Sequence, residues 1–211
     1  MTERIPRERF HESGWRVIRE AACASFRTES LAAGAALVKV IASLPDLAER
    51  HPDVNLRPGS VTVRLRADLE AFTEEHVALA AQISSAAREL GASLDPSALQ
   101  SIQVAIDALV IPEVMPFWRA VLGYDQEDDE DLADPRLEGP PFWFQQMDAP
   151  RPQRNRIHID LYVPHDQAEA RVAAALAAGG HVVNDEHAPQ WWTLADAEGN
   201  EVDVAPWPDL G

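Results

Sequence analysis

Residues 155–164 alternate with a period of two: Ile157, Ile159, Leu161 and Val163 fall on one side, and His158, Asp160 and Tyr162 on the other. The run is rich in good β-formers, so it predicts a strand whose polar side lines a cavity or meets solvent. In the first half, residues 15–18 and 22–26 predict two short strands. A helix then begins after Thr28 or Ser30, with Leu31, Leu37, Val38, Ile41 and Leu44 at helical spacing. Pro45 interrupts that pattern, residues 46–50 add a last turn, and His51-Pro52 forces extended backbone. Arg57-Pro58-Gly59-Ser60 is a turn, residues 61–66 alternate as a strand, and Thr73 opens a helix through Val77, Ala80, Ile83, Ala87 and Leu90. Gly91 suits its C-terminal cap. The order strand, strand, helix, strand, strand, helix implies an α+β layer: an antiparallel sheet with helices on one face.

Residues 92–101, centred on Asp95-Pro96-Ser97, have linker chemistry, which predicts domains at 1–95 and 101–207. The second half starts with a strand at 102–108 and a helix at 112–122, opened by Pro112 and closed by Gly123. The acidic run 125–134 is expected as a solvated loop. An aromatic strand at 142–147 precedes the alternating strand, then a helix at 166–178 ends at Gly179-Gly180. Strands follow at 181–184, 191–194 and 201–205, with Ala197-Glu198-Gly199-Asn200 as a hairpin turn. Strand, helix and further strands thus occur twice. Two such βαβββ modules can pair into one curved sheet with a site at their junction.

Charge divides the chain in the same place. Of the formal −17, residues 1–95 carry 12 basic and 14 acidic groups and residues 96–211 carry 6 and 21. With no cluster of Lys and Arg, nucleic acid and anionic membrane surfaces are excluded as partners. Cys23 is the single cysteine, so neither a disulfide framework nor a Cys-based zinc site is expected, which suits a reducing cytoplasm. The first residues lack the apolar core of a signal peptide and no run is long enough to span a membrane, so the expectation is a cytoplasmic protein.

Three stretches of the second half carry a resemblance: residues 117–123 (Phe-Trp-Arg-Ala-Val-Leu-Gly), His158-Ile159-Asp160-Leu161, and residues 196–203 (Asp-Ala-Glu-Gly-Asn-Glu-Val-Asp). In that order, over residues 101–207, they resemble the vicinal oxygen chelate superfamily, in particular its glyoxalase-like and bleomycin-resistance-like members. The resemblance implies a divalent metal ion as cofactor, with Gln103, Gln145, His158 and Asp203 at the ligand positions. Glu201 is expected on the same face as Asp203. A metal-free pocket, with His158 simply hydrogen-bonded, stays open beside it. Trp143, Trp191 and Trp192 offer indoles to stack on a flat ligand, and Arg156 a cation for an anionic group.

Residues 46–76, and more loosely 10–91, resemble the pterin-4a-carbinolamine dehydratase family. The positions that resemblance implies as catalytic are Asp46, His51, Asp68 and His76. Asp46, His51 and Pro52 agree with the family pattern, whereas Arg50, Asp68 and His76 depart from it. The departures matter because dehydrating a carbinolamine needs a proton donor and an acceptor working near neutrality, and Arg50 is permanently charged. Three functions follow: a lyase acting on a pterin or small oxoacid-like molecule; a metal-free protein that sequesters a small ligand; and a scaffold in which the first domain provides a homo-oligomer, as the resemblance implies.

Overall fold

The computed structural model describes residues 5–19, 21–45, 52–66, 72–150 and 157–206. The expected helical turn at 46–50 and the predicted site residues Asp46, His51, Asp68 and Arg156 lie outside them. The chain separates into two compact units, Met1–Ser101 and Ile102–Gly211.

In the first unit, strands β1 (Arg16–Ile18), β2 (Ala21–Arg27), β3 (Asp53–Arg57) and β4 (Ser60–Arg66) form an antiparallel sheet in the order β1-β2-β4-β3. Helices α1 (Leu31–Ala42) and α2 (Glu74–Glu89) cover it. Of the two predicted caps for α1, Ser30 takes the role: its Oγ accepts the Ala33 N–H at 3.2 Å. On β4, Val61, Val63 and Leu65 are fully buried while Thr62, Arg64 and Arg66 point the other way. The buried set joins Ala22, Ala24, Phe26, Leu37, Ile41 and Ile83 in one core. Each large apolar side chain so enclosed contributes about 1.5–3 kcal/mol. Trp15, also fully buried, donates its indole N–H to Ser84 Oγ at 2.9 Å, which binds the start of the sheet to α2.

The expected linker is part of this unit. Strand β1 covers only residues 21–23 of the outer edge of β2, and the two-residue strand β5 (Ser93–Leu94) takes the rest, opposite Phe26 and Arg27. The Asp95 N–H then reaches Ser25 O at 2.8 Å. A two-residue strand has no periodicity, and Asp-Pro-Ser reads as a turn whether or not a strand ends there.

The second unit repeats one plan. β6 (Val104–Ala108), α3 (Ile111–Leu122), β7 (Asp125–Gln126), β8 (Asp131–Ala133) and β9 (Phe142–Gln146) make the first module. β10 (Ile159–Val163), α4 (His165–Ala177), β11 (His181–Asn184), β12 (Trp192–Ala195) and β13 (Glu201–Pro206) make the second. The sheets run β6-β9-β8-β7 and β10-β13-β12-β11, so each module has the same strand order. In each, first and last strands pair in parallel and the other pairs are antiparallel. Both sheets share one core, in which Phe117, Trp118 and Val121 of α3 meet Phe142, Phe144, Leu194, Val202 and Val204.

The acidic run is a hairpin, not a solvated loop. Asp128 Oδ1 accepts the N–H groups of Glu130 and Asp131, both at 2.8 Å, and turns the chain from β7 into β8. Leu132 is fully buried, and Asp134 accepts N–H groups from Arg136 at 2.9 Å, Glu138 at 3.1 Å and Gly139 at 2.9 Å. Burial pushes the Asp134 carboxyl up, but the three backbone donors and Arg136 outweigh it, and its pKa falls below the ordinary value. An acidic residue with enough backbone donors is a turn-former inside a fold, and its charge alone does not reveal that.

The turn 197–200 is where expected, and its flanks bind the modules together. Asp196, fully buried, accepts from the Trp118 indole N–H at 2.8 Å, the Glu198 and Asn200 N–H groups at 2.9 Å each, and Asn200 Nδ2 at 2.8 Å. The two carboxylate oxygens of Glu198 accept the Leu109 and Val110 N–H groups, each at 2.7 Å. Val110 is the N-cap position of α3 and offers no side-chain cap, so a residue of the second module supplies the anion that the helix start favours.

Candidate functional site

Strand β10 keeps the predicted alternation over its length. Ile159, Leu161 and Val163 pack against the core, and Asp160 and Tyr162 lie on the exposed side, whereas Ile157 precedes the strand and is 83% exposed. Parallel pairing with β13 puts Asp160 opposite Asp203, and antiparallel pairing of β12 puts Thr193 on the other side of Asp203. Partners across a ladder share a face, so Asp160, Asp203 and Thr193 form one polar row.

His158 sits at the entrance to that row. Its Nε2 lies 3.2 Å from Asp160 Oδ1 and 3.5 Å from Asp203 Oδ2. One ligand-type atom from each of the three side chains falls within 4.8 Å of the others. The side chains of His158 and Asp160 are each half exposed and that of Asp203 is 24% exposed. The second oxygen of Asp203, Oδ1, is buried and has no hydrogen-bond partner among the described residues. Two carboxylates this close repel by about 1 kcal/mol even when screened as in water. A cation or a protonated imidazole between them relieves that repulsion, and one imidazole with carboxylate oxygens is a donor set that divalent ions accept.

The other predicted ligands lie elsewhere. Gln103 belongs to the first module, where its amide Nε2 donates to Asp131 Oδ1 at 3.2 Å. Gln145 is exposed on β9, paired with Asp107. Glu201 pairs with Ala195, one step along the face from Asp203, and is not one of the three converging groups. Asp160, which the sequence put on the polar side but not among the ligands, is. Its signal was the i, i+2 spacing from His158; the pairing of β10 with β13 was not readable.

Of the tryptophans, Trp143 lies on the polar side of β9 and donates its indole N–H to Glu130 Oε2 at 3.4 Å. Trp191 is half-buried just before β12 and stacks on His187, ring centroids 4.1 Å apart at 26°. Trp192 pairs with buried Val204 and packs against the core, so it does not face the row that holds Asp203. A one-residue step along a strand reverses the face, and for two adjacent indoles hydrophobicity gives no way to choose between them.

In the first unit the one described site residue is His76, and it is fully buried. Its Nδ1 accepts the Thr73 N–H at 3.1 Å and its Nε2 donates to Arg66 O at 3.1 Å. The ring therefore closes the start of α2 and fastens it to the end of β4.

Two family models match the chain, one in each half. The family model described as pterin 4 alpha carbinolamine dehydratase matches residues 1–86, and the one described as a glyoxalase-like domain matches residues 103–205. No curated protein matches the chain. Among solved structures, a glyoxalase-related enzyme from Fulvimarina pelagi is similar at 14% identity, covering 52% of this chain and 90% of its own, with a TM-score of 0.42. A glyoxalase/dioxygenase from Nostoc punctiforme is similar at 11% identity, covering 56% and 97%, with a TM-score of 0.41. The fosfomycin resistance protein FosX from Mesorhizobium loti is similar at 7% identity, covering 50% and 90%, also at 0.41. Among the described residues, no helix is long and apolar enough to cross a membrane.

Proposed function

We propose that this chain, which joins a pterin 4 alpha carbinolamine dehydratase domain to a glyoxalase-like domain, is a lyase-type protein whose working site is the polar face around His158 and Asp203, with a divalent cation held there beside a small ligand. The observation that supports this reading is the approach of His158 to Asp203 together with the buried Asp203 Oδ1, which no described donor answers. A bound ion would polarise a ligand oxygen as a Lewis acid. The chain's own groups do the rest. The carboxylates draw and balance the cation. Tyr162, 60% exposed on the same side of β10, offers a phenolic O–H to a ligand oxygen. Trp191, stacked on His187, offers a flat apolar wall. These features favour a small oxygen-rich or aromatic anion, such as an oxoacid.

In the first unit, dehydration of a pterin carbinolamine would fall to His51 as proton donor and acceptor, with Asp46 and Asp68 as the other groups that the family resemblance implies. His76 has both ring nitrogens engaged, which speaks for a positioning role there.

A second reading has its own support. A protonated His158 would pair with both Asp160 and Asp203, at 3.2 and 3.5 Å, offset one of their two negative charges, and leave a metal-free protein that sequesters its ligand. Metal analysis of the purified chain and calorimetric titration with Mn2+ separate the two. Binding that His158→Ala abolishes supports the first reading; no uptake at millimolar Mn2+ leaves the second.

A further inference from the structure

The two modules of the second unit are built to one plan but not with the same donors. β6 and β10 are each five residues long, and each pairs in parallel with the last strand of its module. Their first rungs are both apolar: Val104 opposite Phe142, and Ile159 opposite Val202. The second rungs are the comparable polar positions. In the second module this rung is Asp160 opposite Asp203, extended to Thr193 on β12. In the first it is Ala105 opposite Trp143, extended to Asp131 on β8. The residue before the first rung is His158 in one and Gln103 in the other.

Each donor of the second module therefore has a counterpart that does not serve as one. Ala105, in the place of Asp160, has no ligand atom. Trp143, in the place of Asp203, presents an indole, which donates and cannot coordinate a cation. Gln103, in the place of His158, commits its amide N–H to Asp131 at 3.2 Å. Gln145 stands two rungs further on, at the level of Ala205, which is not a donor position in the second module either.

We infer that the cation site is confined to the second module, with Asp160 as its third protein donor beside His158 and Asp203, and that the first module presents the Trp143 face to the ligand instead of a metal ligand. This rests on the metal-binding reading above. Three protein donors, two of them anionic, leave the remaining positions of a six-coordinate ion to water and ligand oxygens. Asp160 lies next to Asp203 across a strand pair, so the two oxygens approach a common point without rearranging backbone. A site shared with the first module would draw on the Gln103 amide oxygen, a neutral donor weaker than a carboxylate, from a side chain whose Nε2 is turned to Asp131.

The test is Mn2+ binding to the full chain, read by the loss of the free-ion signal in electron paramagnetic resonance and by calorimetry, without any assay of turnover. Asp160→Asn is close to isosteric at a half-exposed position, and an unchanged circular dichroism spectrum with a Tm in chelator no lower than the parent's would show that it folds. The expected result is a loss of at least tenfold in Mn2+ affinity for Asp160→Asn, with Gln103→Ala and Gln145→Ala within twofold of the parent. Unchanged affinity in Asp160→Asn, or a tenfold loss in either glutamine variant, overturns the one-module site while the metal reading stands. Failure of the parent chain to bind Mn2+ overturns both.

Discussion

Asp160 and Asp203 are direct register partners on the parallel β10–β13 ladder, with His158 Nε2 3.2 Å from one carboxylate and 3.5 Å from the other. Nothing about folding asks for two acids side by side on neighbouring strands, where like charges destabilise. With cations removed by chelator at pH 9, Asp160→Asn should therefore stabilise the second unit, by up to about 1 kcal/mol, since the pair is partly exposed. Thermal unfolding followed by tryptophan fluorescence reads this, and a lower Tm for the variant in chelator would contradict it.

His76 supplies an acceptor to Thr73 and a donor to Arg66 from a fully buried ring. Replacing it by Ala leaves both backbone groups to find other partners in a dry place. The expected cost is about 1–3 kcal/mol in the first unit, measured as a lower urea midpoint. Retained stability with loss of pterin dehydration would instead make His76 catalytic.

Asp196 holds four donors, among them the Trp118 indole, with no exposure of its own. Asp196→Ala should cost the second unit at least about 1–3 kcal/mol, the usual penalty for leaving a buried donor unsatisfied. Asp196→Asn, which keeps the shape, should cost less. Equal Tm values for parent and Asp196→Ala would refute the network's structural weight.

Asp134 has a pKa below the ordinary carboxylate value in the folded chain, because backbone donors favour its charged form over the desolvation that opposes it. A depressed folded pKa means stability that is present above the unfolded pKa, about 4, and is lost as pH falls through the folded value. Asp134→Asn should be less stable at pH 7 and should lose less on acidification, so the two stability curves converge below pH 4. Urea unfolding at several pH values tests it; parallel curves would count against this assignment.

Much of the fold could be read from the chain because its elements are marked locally. Ser30 before an apolar helix, Gly123 at the end of α3 with φ 71°, and Gly199 in the last hairpin with φ 86° are punctuation that needs no tertiary knowledge. What escaped reading depends on partners far along the chain. Strand β5 exists because β1 stops short of the end of β2, and Asp134 is buried because Arg136, Glu138 and Gly139 turn their N–H groups toward it.

The site divides in the same way. Alternation put His158, Asp160 and Tyr162 on one side of a strand, and that holds for the residues of β10. Which acid meets the histidine is a matter of sheet order and register. β10 could have paired first with β11 or β12; that it pairs with β13 brings Asp160 to Asp203 and leaves Glu201 a step away. The family resemblance put Asp203 among the ligand positions, while Asp160 entered it only as part of the motif around His158.

Glu198 caps a helix whose N-cap residue, Val110, precedes it by 88 positions. As the chain leaves the ribosome, α3 and the rest of the first module emerge well before the residue that finishes them. Until then the helix start has bare N–H groups, and Trp118 has no Asp196 to receive its indole proton. Residues 102–150 alone should be a loose, partly helical intermediate, and the second unit should lock in a single late step, when its last hairpin closes on a helix made long before.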